Sequence, residues 1–130
     1  MAGEQGRYSE AEAELLKVLE LRRRLLGEKH HDTLATRERL GWVHALEGRL
    51  GDAESELRAV IDMRIRVLGA DYPSTLDATT RLAQVLARRG RVDEAVTALR
   101  SVYDHQVHAL GADNPRPQAT QALIESLART

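Results

Sequence analysis

The chain has 130 residues, with 19 basic and 20 acidic side chains and a formal net charge of −1. That balance lacks the positive excess of a nucleic-acid binder, and the absence of cysteine excludes disulfides and thiolate chemistry. No apolar run approaches the roughly 18 residues of a membrane span, and the N-terminus shows no signal-peptide pattern, so the expected setting is the cytoplasm.

Three copies of one pattern run through the chain at a fixed interval of 42 residues. Gly6-Arg7, Gly48-Arg49 and Gly90-Arg91 recur at that interval, as do Leu26-Gly27, Leu68-Gly69 and Leu110-Gly111. A period of this size marks stacked supersecondary units. With no Phe and few aromatics, the core must be built from Leu, Val, Ile and Ala, which suits closely packed helices.

Taken in order, the first long helix is expected over about residues 9–26, with Ala11, Leu15, Val18, Leu19 and Leu21 as its apolar stripe. Asp32-Thr33 opens the second, where Leu34, Leu40, Val43 and Leu46 recur at helical spacing and Gly48 marks the end. Asp52 is the expected cap of the third, whose stripe is Ala53, Leu57, Val60, Ile61, Met63, Val67 and Leu68. Ser74 or Thr75 opens the fourth, which ends near Arg89, and Asp93 caps a fifth that runs to Leu110. The sixth covers about residues 117–129. Two helix types alternate in the order B-A-B-A-B-A. The predicted fold is therefore all-α: six helices as antiparallel pairs in a right-handed α-solenoid. It forms one domain over residues 1–130, with periods of about 6–47, 48–89 and 90–130. A HEAT-like array shares the period and is the alternative.

The repeated stretches resemble the long, kinesin-light-chain type of tetratricopeptide repeat, widespread in bacteria and often attached to nucleotide-binding regulatory ATPases. The family's stretch before and into the first-type helix appears as His30-His31-Asp32-Thr33-Leu34 and again as Tyr72-Pro73-Ser74-Thr75-Leu76. Its GRYxEAE appears as Gly6-Arg7-Tyr8-Ser9-Glu10-Ala11-Glu12, with counterparts at Gly48 and Gly90, and its RxxxLG starts at Arg22 and Arg64. Gly41, Ala53, Ala83 and Ala95 let helix backbones approach closely. The resemblance implies a protein-interaction scaffold with no catalysis and no cofactor, whose first-type helices line a concave groove. The implied groove positions are Ala35, Glu38, Arg39, Trp42, Ala45 and Leu46 in one repeat, and Asp77, Thr80, Arg81, Gln84, Ala87 and Arg88 in the next. The family's paired asparagines, which hold a partner's backbone, are replaced here by Glu38-Arg39, Thr80-Arg81 and Ala122-Leu123.

Trp42 either anchors a partner in the groove or packs as core. Arg39, Arg81 and Arg88 add positive charge nearby, so the expected partner is a protein or peptide carrying acidic groups or a C-terminal carboxylate. His30-His31 and the pair His105 and His108 read as surface histidines rather than a metal site, and His44 as a packed histidine. Glu10, Glu12, Glu14, Glu54 and Glu56 read as helix-start carboxylates that offset the dipole, and Arg22-Arg23-Arg24 as a solvated face. The first helix lacks a preceding partner and the last lacks a following one. Leu15, Val18 and Leu19 are therefore expected to meet Leu123 and Leu127 of another copy, in a head-to-tail homo-oligomer. A self-assembling structural module, or part of a larger regulatory ATPase, is the alternative function.

Overall fold

The computed structural model describes residues 2–129, with side chains from residue 6 onward. Six helices follow one another: α1 (Ala2–Leu26), α2 (His31–Leu46), α3 (Leu50–Leu68), α4 (Pro73–Arg88), α5 (Val92–Leu110) and α6 (Pro115–Ala128). The starts of α2, α4 and α6 are 42 residues apart, as are the ends of α1, α3 and α5. Each helix packs on its neighbours in the chain, and no strand occurs among the described residues. The result is an all-α, right-handed solenoid of antiparallel pairs.

The glycines end the helices because they reach conformations other residues avoid. Gly48 has φ +84° just past α2, and Gly69 has φ +102° at the end of α3. Either conformation costs a side-chain-bearing residue a clash with its own backbone. Gly6 behaves otherwise. It lies inside α1, which starts at Ala2 rather than near residue 9.

The caps also differ from the expectation. His30 precedes α2, and its Nδ1 accepts the backbone N–H of Asp32 at 3.0 Å. Asn114 does the same for α6 through Arg116 N–H at 2.9 Å. Tyr72 precedes α4, which Pro73 opens, where a missing amide costs little. Arg49 and Arg91 stand before α3 and α5 without a side-chain cap. Asp52 and Asp93 sit in the first turn. There Asp52 accepts from Arg49 Nε at 3.0 Å instead of capping the backbone.

The core follows the repeat. Ala53, Leu57 and Val60 of α3 are 0% exposed, and Ala95, Leu99 and Val102 of α5 are 0–1% exposed. Leu40, Leu82 and Ile124 occupy one repeat position on α2, α4 and α6, and all are buried. Where α2 crosses α3, a Cβ on Gly41 would lie 3.3 Å from Leu57 Cγ. Ala83 fills the matching position of α4 and is fully buried, whereas the matching residue of α6 is the exposed Glu125.

That last observation bears on the ends of the stack. Leu19 is 3% exposed and belongs to the interior, and Leu123 and Leu127 pack against the central cluster. Of the residues expected to join two copies, Leu15 is half-buried and Val18 is 37% exposed. Glu125 stands on α6 where α2 and α4 carry Gly41 and Ala83.

Candidate functional site

Second-type helices are tied to the next first-type helix by a polar side chain at one repeat position. Arg22 donates to the Asp32 carbonyl at 3.1 Å and to Thr36 Oγ1 at 2.8 Å. It therefore joins α1 to α2 rather than facing solvent. Arg64, 42 residues on, donates to the Ser74 carbonyl at 2.9 Å and is only 2% exposed. The hydroxyl available to Arg22 is missing here, because Thr36 is matched by Ala78. Arg64 instead forms a short ion pair with Glu38 of α2. At the third copy the residue is Gln106, whose Oε1 accepts from Thr120 Oγ1 at 2.6 Å.

These ties set α2, α4 and α6 side by side around a concavity of about 500 Å³. Glu38 and Trp42 reach it from α2; Ser74, Asp77, Thr80, Arg81 and Gln84 from α4; Gln106 from α5; and Arg116, Ala119 and Thr120 from α6. A second concavity of about 420 Å³ continues past Trp42 and Gln84 to Ala87, Arg88, Val92 and Leu127. Eight of the twelve expected groove residues thus come together. Ala35, Arg39, Ala45 and Leu46 line neither concavity: Ala45 is buried in the core, Ala35 is half-buried, Arg39 is exposed and Leu46 is 36% exposed. Sequence reasoning missed Ser74, Gln106, Arg116 and Thr120. The third repeat is degenerate there, and Gln106 belongs to the helix type expected to stay out of the groove.

Trp42 stands between the two placements considered for it, touching the core and lining the groove. It is half-buried, packs against the central apolar cluster, and lines both concavities. The guanidinium groups of Arg81 and Arg88 each stand 5.2 Å from its ring centroid. Such contacts are attractive because the ring face carries partial negative charge. The two arginines are seven residues apart on α4, hence two turns apart on one face.

Charge in the groove is uneven. Glu38 is shared by Arg64 and Arg81, the latter through Nε at 2.9 Å. Asp77 lies 3.6 Å from Arg116 on the exposed rim. Arg88 makes no ion pair among the described residues, and its cation meets only the Trp42 ring. Four arginines therefore face two carboxylates.

Three of the five carboxylates read as helix-start charges are held in ion pairs. Glu12 pairs with Arg49 at 3.0 Å, Glu56 with Arg37 at 2.7 Å, and Glu54 accepts from Arg58, Arg89 and Arg91. Glu56 thus ties α3 to α2, Glu12 ties α1 to the turn between α2 and α3, and Glu54 ties α3 to the turn between α4 and α5. Burial by itself pushes the Glu54 carboxyl up. The Arg58 hydrogen bond and the charges of Arg58, Arg91 and Arg89 outweigh it and hold the group below the ordinary carboxylate range.

A family model for the tetratricopeptide repeat matches residues 1–65 and again 44–106. The chain belongs to the tetratricopeptide repeat family. Among solved structures, this TPR chain is similar to the nearly identical TPR-like repeats of a kinesin-light-chain-type protein from Podosopora anserina. The TM-score is 0.84 at 26% identity, over 95% of this chain. A single-residue variant of that protein gives 0.83 at 26% identity, again over 95%. The chain spans 59% and 58% of those two structures. No curated protein matches it. No helix among the described residues is long and apolar enough to cross a membrane.

Proposed function

We propose that this TPR protein is a non-catalytic interaction module whose groove takes an extended segment of a partner protein, with a carboxylate of that segment set against Arg88. The observation that carries the reading is the arrangement of Trp42 with Arg81 and Arg88. It is a large rigid apolar surface beside a cation that no carboxylate of the described chain neutralises. A partner side chain on the ring would bury area at small entropic cost, and an acidic group or C-terminal carboxylate beside it would complete the charge. The family's amide clamp is not available here, since Glu38, Thr80 and Ala122 stand at those positions. Side-chain chemistry rather than main-chain capture then selects the partner. The open groove favours binding over catalysis: no nucleophile paired with a base lies among its lining residues.

Trp42 is the only tryptophan, so its emission reports directly on the groove. The test is a pool of short peptides with acidic residues and free C-terminal carboxylates, against the same pool amidated and neutralised. The expected result is a change in Trp42 emission with the acidic pool only, weakened by salt and by Arg88→Glu. Trp42→Ala should cost about 2 kcal/mol or more in binding. Equal binding of both pools, or binding indifferent to Arg88→Glu, would overturn the reading.

A further inference from the structure

Two junctions in the stack use the same repeat positions with opposite charge. Where α3 meets the end of α4, the Glu54 carboxylate accepts from Arg89 and Arg91 at 2.8 Å each and from Arg58 at 2.9 Å. One carboxylate is held there by three guanidinium groups, next to the apolar Leu86. Forty-two residues earlier, where α1 meets the end of α2, Glu12 stands for Glu54 and Arg49 for Arg91. There, however, Leu86 is replaced by His44, Arg89 by Glu47 and Arg58 by Leu16. A single guanidinium faces two carboxylates and an imidazole. Relative to its own repeat, this junction lacks positive charge.

The geometry is that of a ligand set. One donor atom from each of Glu12, His44 and Glu47 lies within 4.8 Å of the others. His44 Nε2 is 3.4 Å from Glu12 Oε2. Glu47 Oε1 is buried with no hydrogen-bond donor, and His44 Nδ1 is buried with no partner. Without an ion the Glu12 carboxylate favours a proton on Nε2; an ion taking the Nε2 lone pair leaves that proton on Nδ1, which no other protein group occupies. His44 lies in the last turn of α2 and Glu47 is its C-cap, and Glu12 completes the set from α1. Both His44 and Glu47 therefore sit at the C-terminal end of α2, where the macrodipole favours a cation and opposes a carboxylate.

We propose that Glu12, His44 and Glu47 bind one divalent transition-metal ion of the zinc class, clamping α1 to the end of α2. Imidazole with two carboxylates suits such an ion, whereas calcium and magnesium prefer sites built of oxygen alone. Three ligand atoms around a tetrahedral ion sit about 3.4 Å apart, so the side chains close inward by roughly 1 Å, a small change for half-buried glutamates. Arg49 now occupies part of the space, with Nη1 at 3.0 Å from Glu12 Oε2 and 4.0 Å from Glu47 Oε1. It is 47% exposed and also holds Asp52 at 3.0 Å, which is the main cause of its raised pKa. It keeps that partner when Glu12 turns to the ion.

The experiment uses the full chain after chelator treatment, titrated with zinc chloride by calorimetry and with cobalt(II) followed by its visible absorption. The expected result is saturation at one ion per chain, a four-coordinate cobalt spectrum and a raised thermal midpoint with zinc. His44→Leu and Glu47→Arg each install the residue of the α3–α4 junction, so the fold accommodates them, and circular dichroism verifies it. Each should weaken binding by at least about tenfold. No saturable binding would overturn the proposal. So would binding that persists in both variants, because the ion would then sit at His30-His31 or at His105 and His108.

Discussion

The packed spine and the concave groove obey the 42-residue period differently. On the spine, Ala53, Leu57 and Val60 return as Ala95, Leu99 and Val102, and both sets are buried to within 1%. In the groove, Glu38 becomes Thr80 and Trp42 becomes Gln84. A buried position answers to the same neighbouring helix in every repeat, so the same shape returns. A groove position has no neighbouring helix over it and is free to differ. Departures from the period therefore point to function, and agreement with it points to stability.

The largest effect should come from the spine. Leu57→Ala and Leu99→Ala should each cost about 2–5 kcal/mol of unfolding free energy in urea, because each leaves a cavity at a fully buried site. Near-equal losses would uphold the repeat equivalence, and a large disparity would break it. Trp42→Ala sharpens the contrast from the other side. Its cost in urea should be about 1–2 kcal/mol, below the fully buried range for so large a ring because it is only half-buried, while peptide binding in the groove is lost. A loss as large as that of Leu57→Ala, with the helical signal gone, would make Trp42 a spine residue.

Glu54 gives a smaller and pH-dependent effect. Its carboxyl is held below its ordinary value of 4.5. A depressed folded-state pKa means the ionised form is favoured by folding. The stabilisation is present above pH 4.5 and is lost as pH falls through the lowered folded value. Glu54→Gln should cost about 1–2 kcal/mol near pH 7, since its arginine partners are exposed enough to rehydrate. It should also flatten the acid limb of the thermal midpoint below pH 4.5. An unchanged acid limb would show that this cluster adds nothing. The smallest effect is expected for Gly41→Ala. The added Cβ crowds Leu57 Cγ at 3.3 Å, while Ala gains helix propensity, and Ala83 already fills the matching place. The two terms nearly cancel, to within about 1 kcal/mol. A loss beyond that would show that α2 and α3 sit closer than α4 and α5.

The sequence alone settled the helix count, the alternation of helix types and the apolar spine of Leu57, Leu99 and their neighbours. Each of those follows from residues whose spacing or backbone preference is local, such as Gly48 and Gly69 at helix ends. It also placed most of the groove, because Glu38, Trp42, Arg81 and Arg88 fall on first-type helices at helical spacing. Only the tertiary structure decided which charges meet. The period relates equivalent positions, whereas Arg49 with Glu12 and Arg91 with Glu54 join non-equivalent ones 37 residues apart, each a residue of a turn with one of an earlier helix. The same reason hid Gln106 and Thr120 in the groove wall, and Glu12 beside His44 and Glu47. The caps were misread for a different cause. A short polar side chain near a helix start signals an N-terminus, but whether its oxygen reaches an amide depends on the loop. In this chain His30 and Asn114 make that bond, and Asp52 turns to Arg49.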